Sequence, residues 1–187
     1  MLIQLKIIFN SFLLVFLTEM GDKTQLLAFV LASRFKKPWP IFAGIFVATV
    51  ANHLLAASAG VWVSQNLPPQ ILKWILAVLF LAFAVWIMIP DKDVELEERK
   101  GWGAFHTTVV TFFLAEMGDK TQISTVTLAA KYNNLFLVTV GTTIGMMITD
   151  GLAVFFGDKM TKKIPMNWIH AGAAIVYVVF AIGILLH

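Results

Sequence analysis

Apolar residues dominate six stretches of the 187-residue chain, near positions 7–33, 41–64, 70–90, 104–131, 135–158 and 167–186. Each has about the 20 residues a helix needs to cross roughly 30 Å of hydrocarbon, so the pattern predicts six membrane-spanning helices. The breaks between them are short and polar: Lys36-Lys37-Pro38, Pro68-Pro69, the charged run Asp91 to Lys100, Tyr132-Asn133-Asn134, and Lys162 to Asn167. Two polar intrusions interrupt the apolar stretches in the same form. Glu19-Met20-Gly21-Asp22-Lys23-Thr24-Gln25 recurs unchanged as Glu116-Met117-Gly118-Asp119-Lys120-Thr121-Gln122.

Position 19 thus recurs as 116, a shift of 97 residues, and the register extends well beyond the heptapeptide. The same shift lays Phe16-Leu17 on Phe113-Leu114, Leu31-Ala32 on Leu128-Ala129 and Arg34-Phe35 on Lys131-Tyr132. It also pairs Gly44 with Gly141, Gly60 with Gly157 and Phe83-Ala84 with Phe180-Ala181. A register kept through three helices makes each half a three-helix unit. The expected organisation is residues 1–90 as the first repeat, 91–103 as a charged cytoplasmic linker and 104–187 as the second repeat, together one functional domain. Three is odd, so the second repeat enters the membrane upside down relative to the first. Charge agrees: Arg34, Lys36, Lys37, Lys92, Arg99, Lys100, Lys159, Lys162 and Lys163 fall on one side, and only Lys6, Lys73 and Lys131 on the other. Positive charge marks the cytoplasmic face, which places both termini outside. The expected fold is all-α, six transmembrane helices as two inverted repeats, an arrangement in which transporters place their site at the midplane.

Composition sharpens the class. With 59% hydrophobic residues, 13% charged and a mean hydropathy of +0.82, the chain departs from the roughly 25% charge of soluble domains. It is an integral membrane protein with the lipid bilayer as its surroundings. The net charge of +3 sits at segment ends, where it sets topology, and gives no reason to expect nucleic acid. The absence of cysteine excludes disulfides, thiolate metal sites and cysteine nucleophiles. The N-terminal run Met1 to Leu17 has the look of a signal peptide but lacks a small-residue cleavage site and leads straight into the first motif. It is expected to be retained.

Carboxylates in hydrocarbon are expensive and mark function. On one continuous helix Glu19, Asp22 and Lys23 would share a face, being three and four apart. Gly21 and Gly118 permit either close helix packing or a local break that frees backbone carbonyls. Glu19, Asp22, Glu116 and Asp119 are the candidate metal ligands. Converging at the midplane, they need a divalent cation, protons, or the charge-compensating Lys23 and Lys120. Metal requires deprotonated ligands, so exchange of metal for protons is a transport cycle in itself. Carboxylate, hydroxyl and amide oxygens, with Thr24, Gln25, Thr121 and Gln122 as further ligands, suit hard cations such as Mn²⁺, Ca²⁺ or Mg²⁺. Met20 and Met117 would add a soft contact if turned inward. Asn52 and Asp150 are further candidate ligands or proton carriers. His53 reads as a hydrogen-bonded packing residue, and His106, His170 and His187 as interfacial. Thr107, Thr108 and Thr111 read as bonding their own backbone. The acidic cluster Asp93, Glu95, Glu97 and Glu98 reads as part of a solvated linker. The bland reading of the motifs is a set of inter-helix ties; two identical copies in inverted halves weigh against it.

Two copies of Glu-x-Gly-Asp-Lys-Thr in a six-helix, two-repeat chain resemble the bacterial MneA-type manganese exporters and their eukaryotic Golgi relatives, which look like Ca²⁺/Mn²⁺–proton exchangers. The resemblance covers essentially the whole chain, and both motif copies match in full. It implies cation export coupled to protons; two carboxylates per repeat with short polar side chains make a compact site that suits Mn²⁺, with Ca²⁺ as the alternative. The ligands it implies are Glu19, Asp22, Glu116 and Asp119, with Thr24 and Thr121 as hydroxyl contributors. It implies no enzymatic activity and no cofactor beyond the transported ion. The short chain fits a bacterial inner-membrane member. Two other classes offer themselves. A cation channel is disfavoured by a closed, charged midplane. An intramembrane aspartyl protease built on Asp22 and Asp119 has no need of the accompanying Glu and Lys.

Overall fold

The computed structural model describes residues 1–89, 102–157 and 166–186. The acidic linker from Asp91 to Lys100 and the connection beginning at Lys162 lie outside them. The described residues form eight helices and no strand: α1 Leu2–Glu19, α2 Lys23–Phe35, α3 Pro38–Asn66, α4 Pro69–Trp86, α5 Ala104–Glu116, α6 Lys120–Tyr132, α7 Leu135–Phe156 and α8 Met166–Leu186. Local chemistry sets several of these ends. Proline opens α3 and α4, where its missing N–H is no loss. The Asn134 side chain accepts from Leu137 N at 2.9 Å and caps α7. Lys36 and Asn133, equivalent under the 97-residue shift, end α2 and α6 in the left-handed conformation.

The single helices expected over 7–33 and 104–131 are each two. A break at residues 20–22 separates α1 from α2, and one at 117–119 separates α5 from α6. Five helical segments are long and apolar enough to cross a membrane by themselves: Leu2–Glu19, Pro38–Asn66, Pro69–Trp86, Leu135–Phe156 and Trp168–Leu186. At 13 residues each, α2, α5 and α6 reach only about 20 Å. They are halves of broken segments, and the breaks carry the two motifs.

Packing repeats the sequence register. The α1 helix lies on α7 as α5 lies on α3, α3 meets α6 as α7 meets α2, while α3 pairs with α7 and α4 with α8. Gly44 and Gly141 show why this register needs glycine. A Cβ on Gly44 would stand 3.0 Å from Phe105 O and 2.8 Å from Thr108 Cβ; on Gly141 it would stand 2.5 Å from Ile8 O and 2.8 Å from Ser11 Cβ. Phe105 and Thr108 are the equivalents of Ile8 and Ser11. Small residues let helix backbones approach closely, which drives helix association where lipid replaces water.

Two apolar clusters flank the motifs. One joins Leu14, Phe80, Phe83, Leu128 and Tyr177, so α4 and α8 close over α1 and α6. The other joins Leu27, Leu31, Ile41, Ile45 and Phe112 on α2, α3 and α5, and takes no core residue from α4 or α8. Large apolar side chains such as Phe136, Val85 and Ile175 are exposed on the outside, with Trp39, Trp62 and Trp168 near helix ends. That distribution fits an apolar belt with aromatic margins in a bilayer.

Candidate metal centre

The two motifs fold into the same turn. Met20 has φ −66° and ψ 111°, Gly21 has φ +83°, and Asp22 N donates to Glu19 O at 3.1 Å. In the second copy Met117 has φ −67° and ψ 117°, Gly118 has φ +80°, and Asp119 N donates to Glu116 O at 3.1 Å. These are type II β-turns, which require positive φ at the third position and so select glycine there. Of the two options left open by the sequence, close packing or a break, Gly21 and Gly118 serve the break.

Each turn is then locked by its own glutamine. Gln25 Oε1 accepts from Gly21 N at 3.0 Å, and Gln122 Oε1 accepts from Gly118 N at 2.7 Å. The amide nitrogens reach across to α7 and α3. Gln25 Nε2 donates to Thr149 O at 3.0 Å and Gln122 Nε2 to Asn52 Oδ1 at 3.4 Å. Asn52 Nδ2 in turn donates to Phe113 O at 3.1 Å. Gln25, Gln122 and Asn52 therefore brace the turns here.

The break also undoes the shared face that a continuous helix would have given Glu19, Asp22 and Lys23. Lys23 Nζ instead crosses to the other copy and pairs with Asp119 Oδ1 at 2.8 Å. Lys120 Nζ donates to Ile89 O at 3.0 Å and sits over the Trp86 ring at 6.0 Å. Asp22 and Asp119 occupy the N-cap positions of α2 and α6 without capping them through the side chain, which leaves their carboxylates directed at the centre. One oxygen from each of Glu19, Asp22 and Asp119 lies within 4.8 Å of the others, and all three residues are buried. Thr24 Oγ1 donates to Glu19 Oε2 at 2.7 Å, and Thr121 Oγ1 donates to Glu19 Oε1. The glutamate of the first copy is thus held by a hydroxyl from each copy.

Glu116 stands apart from this triplet. It is buried, and neither carboxylate oxygen has a hydrogen-bond partner among the described residues; the same holds for both oxygens of Asp150 and for Asp119 Oδ2. Buried carboxylate oxygens left unpaired are costly. Together with the triplet drawn from both motifs, these buried carboxylates make a donor set suited to a hard divalent cation or to protons. His53 is buried, with Thr143 Oγ1 3.5 Å from its Nδ1. Thr108 and Thr111 bond backbone carbonyls one turn earlier in α5. His106 is exposed and His170 partly so, Thr107 Oγ1 has no partner among the described residues, and His187 lies outside them. Met20 is 8% exposed and Met117 54%.

One feature at the edge of the centre escapes a motif search. The buried Tyr177 hydroxyl of α8 lies 2.9 Å from Thr18 Oγ1 and 2.8 Å from Ser124 Oγ. It ties α8 to the last turn of α1 and the second turn of α6. The signal available in the sequence is a departure from the repeat. Under the 97-residue shift, Thr18, Ser124 and Tyr177 meet Ala115, Leu27 and Phe80.

Comparison with known proteins adds an independent line. Residues 7–95 and 104–187 match the family described as divalent cation/proton antiporter GDT1. The chain is 48% identical over 168 residues to a Vibrio cholerae protein named "Putative manganese exporter", covering 89% of this chain and 84% of that one. It is 27% identical over 192 residues to the GDT1-like protein sll0615 of Synechocystis, covering 91% and 92%. It is 26% identical over 219 residues to GDT1-like protein 5 of Arabidopsis thaliana, covering 95% and 94%. No solved structure gives a significant match.

Proposed function

The chain belongs to the GDT1 family of divalent cation/proton antiporters, and on that premise we propose that it exports Mn²⁺ in exchange for protons. The observation that carries this reading is the convergence of Glu19 and Asp22 with Asp119, oxygen ligands from both motif copies, within 4.8 Å. The Vibrio cholerae protein named "Putative manganese exporter", nearly half identical, supports the choice of ion.

Its architecture, on this reading, is a multi-pass bundle of six crossings. They are α1 with α2, α3, α4, α5 with α6, α7 and α8, arranged as inverted repeats over residues 1–90 and 104–187. Reciprocal packing and matching glycine contacts support it. The basic segment ends support an orientation with both termini in the periplasm of a bacterial inner membrane.

The cycle follows from the groups present. A divalent cation entering the triplet competes with Lys23 for Asp119 and turns the Thr24 and Thr121 hydroxyls from donors to Glu19 into neutral oxygen ligands. Glu116 and Asp150 stand by as further carboxylates that take metal or protons. Protonation weakens every carboxylate contact at once, so protons arriving from the far side release the ion. Three carboxylates and two hydroxyls make a compact set that suits Mn²⁺, whereas Ca²⁺ takes six to eight oxygens in a looser cage. Ca²⁺ is therefore a weaker competitor.

The test is reconstitution in proteoliposomes enclosing a pH-sensitive dye. Mn²⁺ movement must bring opposite proton movement from equal starting pH. Metal flux without proton flux, across several buffers, would leave a channel or uniporter. The ion is tested by growth in graded MnCl₂ or CaCl₂ of a host lacking its own exporter; protection from calcium alone would replace manganese with calcium.

A further inference from the structure

The two halves share a register yet differ in what holds them to the α4–α8 pair. The pair closes over α1 and α6 through the Leu14, Phe80, Leu128 and Tyr177 cluster. Among the described residues it contributes no core residue to the Leu27, Ile45 and Phe112 cluster on α2, α3 and α5. The molecule is thus sealed around α1 and α6 and less covered around α2 and α5.

Hydrogen bonds account for the bias. On the sealed side Tyr177 bridges Thr18 and Ser124, three buried residues at 2.9 and 2.8 Å. Nearer the helix ends, Asn10 Nδ2 donates to the Tyr132 hydroxyl at 2.8 Å, joining α1 directly to α6. On the other side the equivalents are Ala115, Leu27 and Phe80 for the first tie, and Thr107 and Phe35 for the second. Neither tie can form there, because Phe80 and Phe35 have no hydroxyl. A symmetric carrier would populate its two forms alike. The described residues make these ties on one side alone.

We infer that Tyr177, with Thr18 and Ser124, is a one-sided latch that holds the site shut on the α1–α6 face and fixes the open face of the resting carrier on the α2–α5 side. Tyr177 is a positioning residue. It acts through Thr18, next to Glu19, and through Ser124, one turn beyond Lys120 and Thr121. This inference rests on the carrier reading for its role in transport, while the latch can be tested without any ion. Two ordinary hydrogen bonds bias the two forms by about tenfold, and a carrier's apparent affinity on each face scales with the fraction open there.

The experiment is hydrogen exchange of the detergent-solubilised chain, comparing it with Tyr177→Phe, which gives this position the residue its counterpart already has. The expected result is reciprocal: faster exchange in α1 and α6 peptides and slower exchange in α2 and α5 peptides. Ser124→Ala is the second variant, milder and expected to show the same pattern. Faster exchange confined to α1, α6 and α8, with α2 and α5 unchanged in both variants, would reduce Tyr177 to a local tie and overturn the latch. In proteoliposomes, the ratio of half-saturating Mn²⁺ on the two faces is expected to move about tenfold in Tyr177→Phe. Failure of the unmodified chain to carry Mn²⁺ would sink the exporter reading and leave the exchange result standing.

Discussion

Gly141→Ala is a test whose sign depends on the packing described. Within a helix, alanine is favoured over glycine by about 1 kcal/mol, so an unconstrained site would gain stability. At Gly141 the new Cβ would stand 2.5 Å from Ile8 O and 2.8 Å from Ser11 Cβ. Carbon contacts are comfortable near 3.5 Å, so α1 and α7 would have to part by roughly 1 Å. The obstacle is backbone, which has no rotamer to swing aside. Overpacking of this kind costs about 1–3 kcal/mol, and a backbone clash belongs at the upper end. The net expectation is a loss of about 2 kcal/mol, or about 4–8 °C in Tm for a chain of this size. Gly172→Ala in α8 is the control, since nothing lies within 4 Å of its Cβ position; it should gain or stay level. Thermal unfolding in detergent, followed by tryptophan fluorescence, reads both. If Gly141→Ala is as stable as Gly172→Ala, α1 does not seat on α7 as described. Because α1 ends at Glu19, the same variant should also show a weaker stabilisation by Mn²⁺.

Other outcomes follow from the same geometry. Glu19→Gln and Glu116→Gln should each nearly abolish Mn²⁺ transport while leaving a folded protein, as judged by size-exclusion profile; normal transport by either would remove that glutamate from the essential set. Lys23→Met strands the buried Asp119 without its cation, in a pair whose lysine side chain is 19% exposed. It should therefore lower Tm, with added Mn²⁺ recovering more of the loss than it adds to the unmodified chain. Protons and metal compete for the same carboxylates, so the Mn²⁺-induced rise in Tm should shrink steadily as pH falls. A rise independent of pH would place the metal away from Glu19, Asp22 and Asp119.

The parts of this molecule that depend on repetition and hydropathy were legible from residues alone. The apolar stretches follow from hydropathy, and the register of Gly44 with Gly141 and the convergence of the two motifs from the 97-residue shift. What resisted was geometry set by a single backbone angle. Gly21 is compatible with a straight helix or with a turn, and periodicity is blind to the choice because a type II turn costs only three residues. That one turn sends Lys23 to Asp119 in place of its helical neighbour Glu19, and gives Gln25 and Gln122 hydrogen bonds that brace the turns. Tyr177 was hidden for a different reason. One aromatic among sixteen phenylalanines and two tyrosines carries no periodic signal, and its meaning emerges only against Phe80.

The pairing of Lys23 with Asp119 has an electrical consequence. A tethered ammonium occupies part of the centre, so a divalent ion enters by replacing one positive charge with two. The work of crowding cations into a low-dielectric interior is correspondingly smaller. Each half-cycle then includes whatever distance the lysine swings, so a membrane voltage acts on the protein as well as on its cargo. Transient charge movement before steady state would accordingly differ between this chain and one in which position 23 holds a neutral residue, while the net charge per completed turnover stays fixed by the ratio of protons to metal.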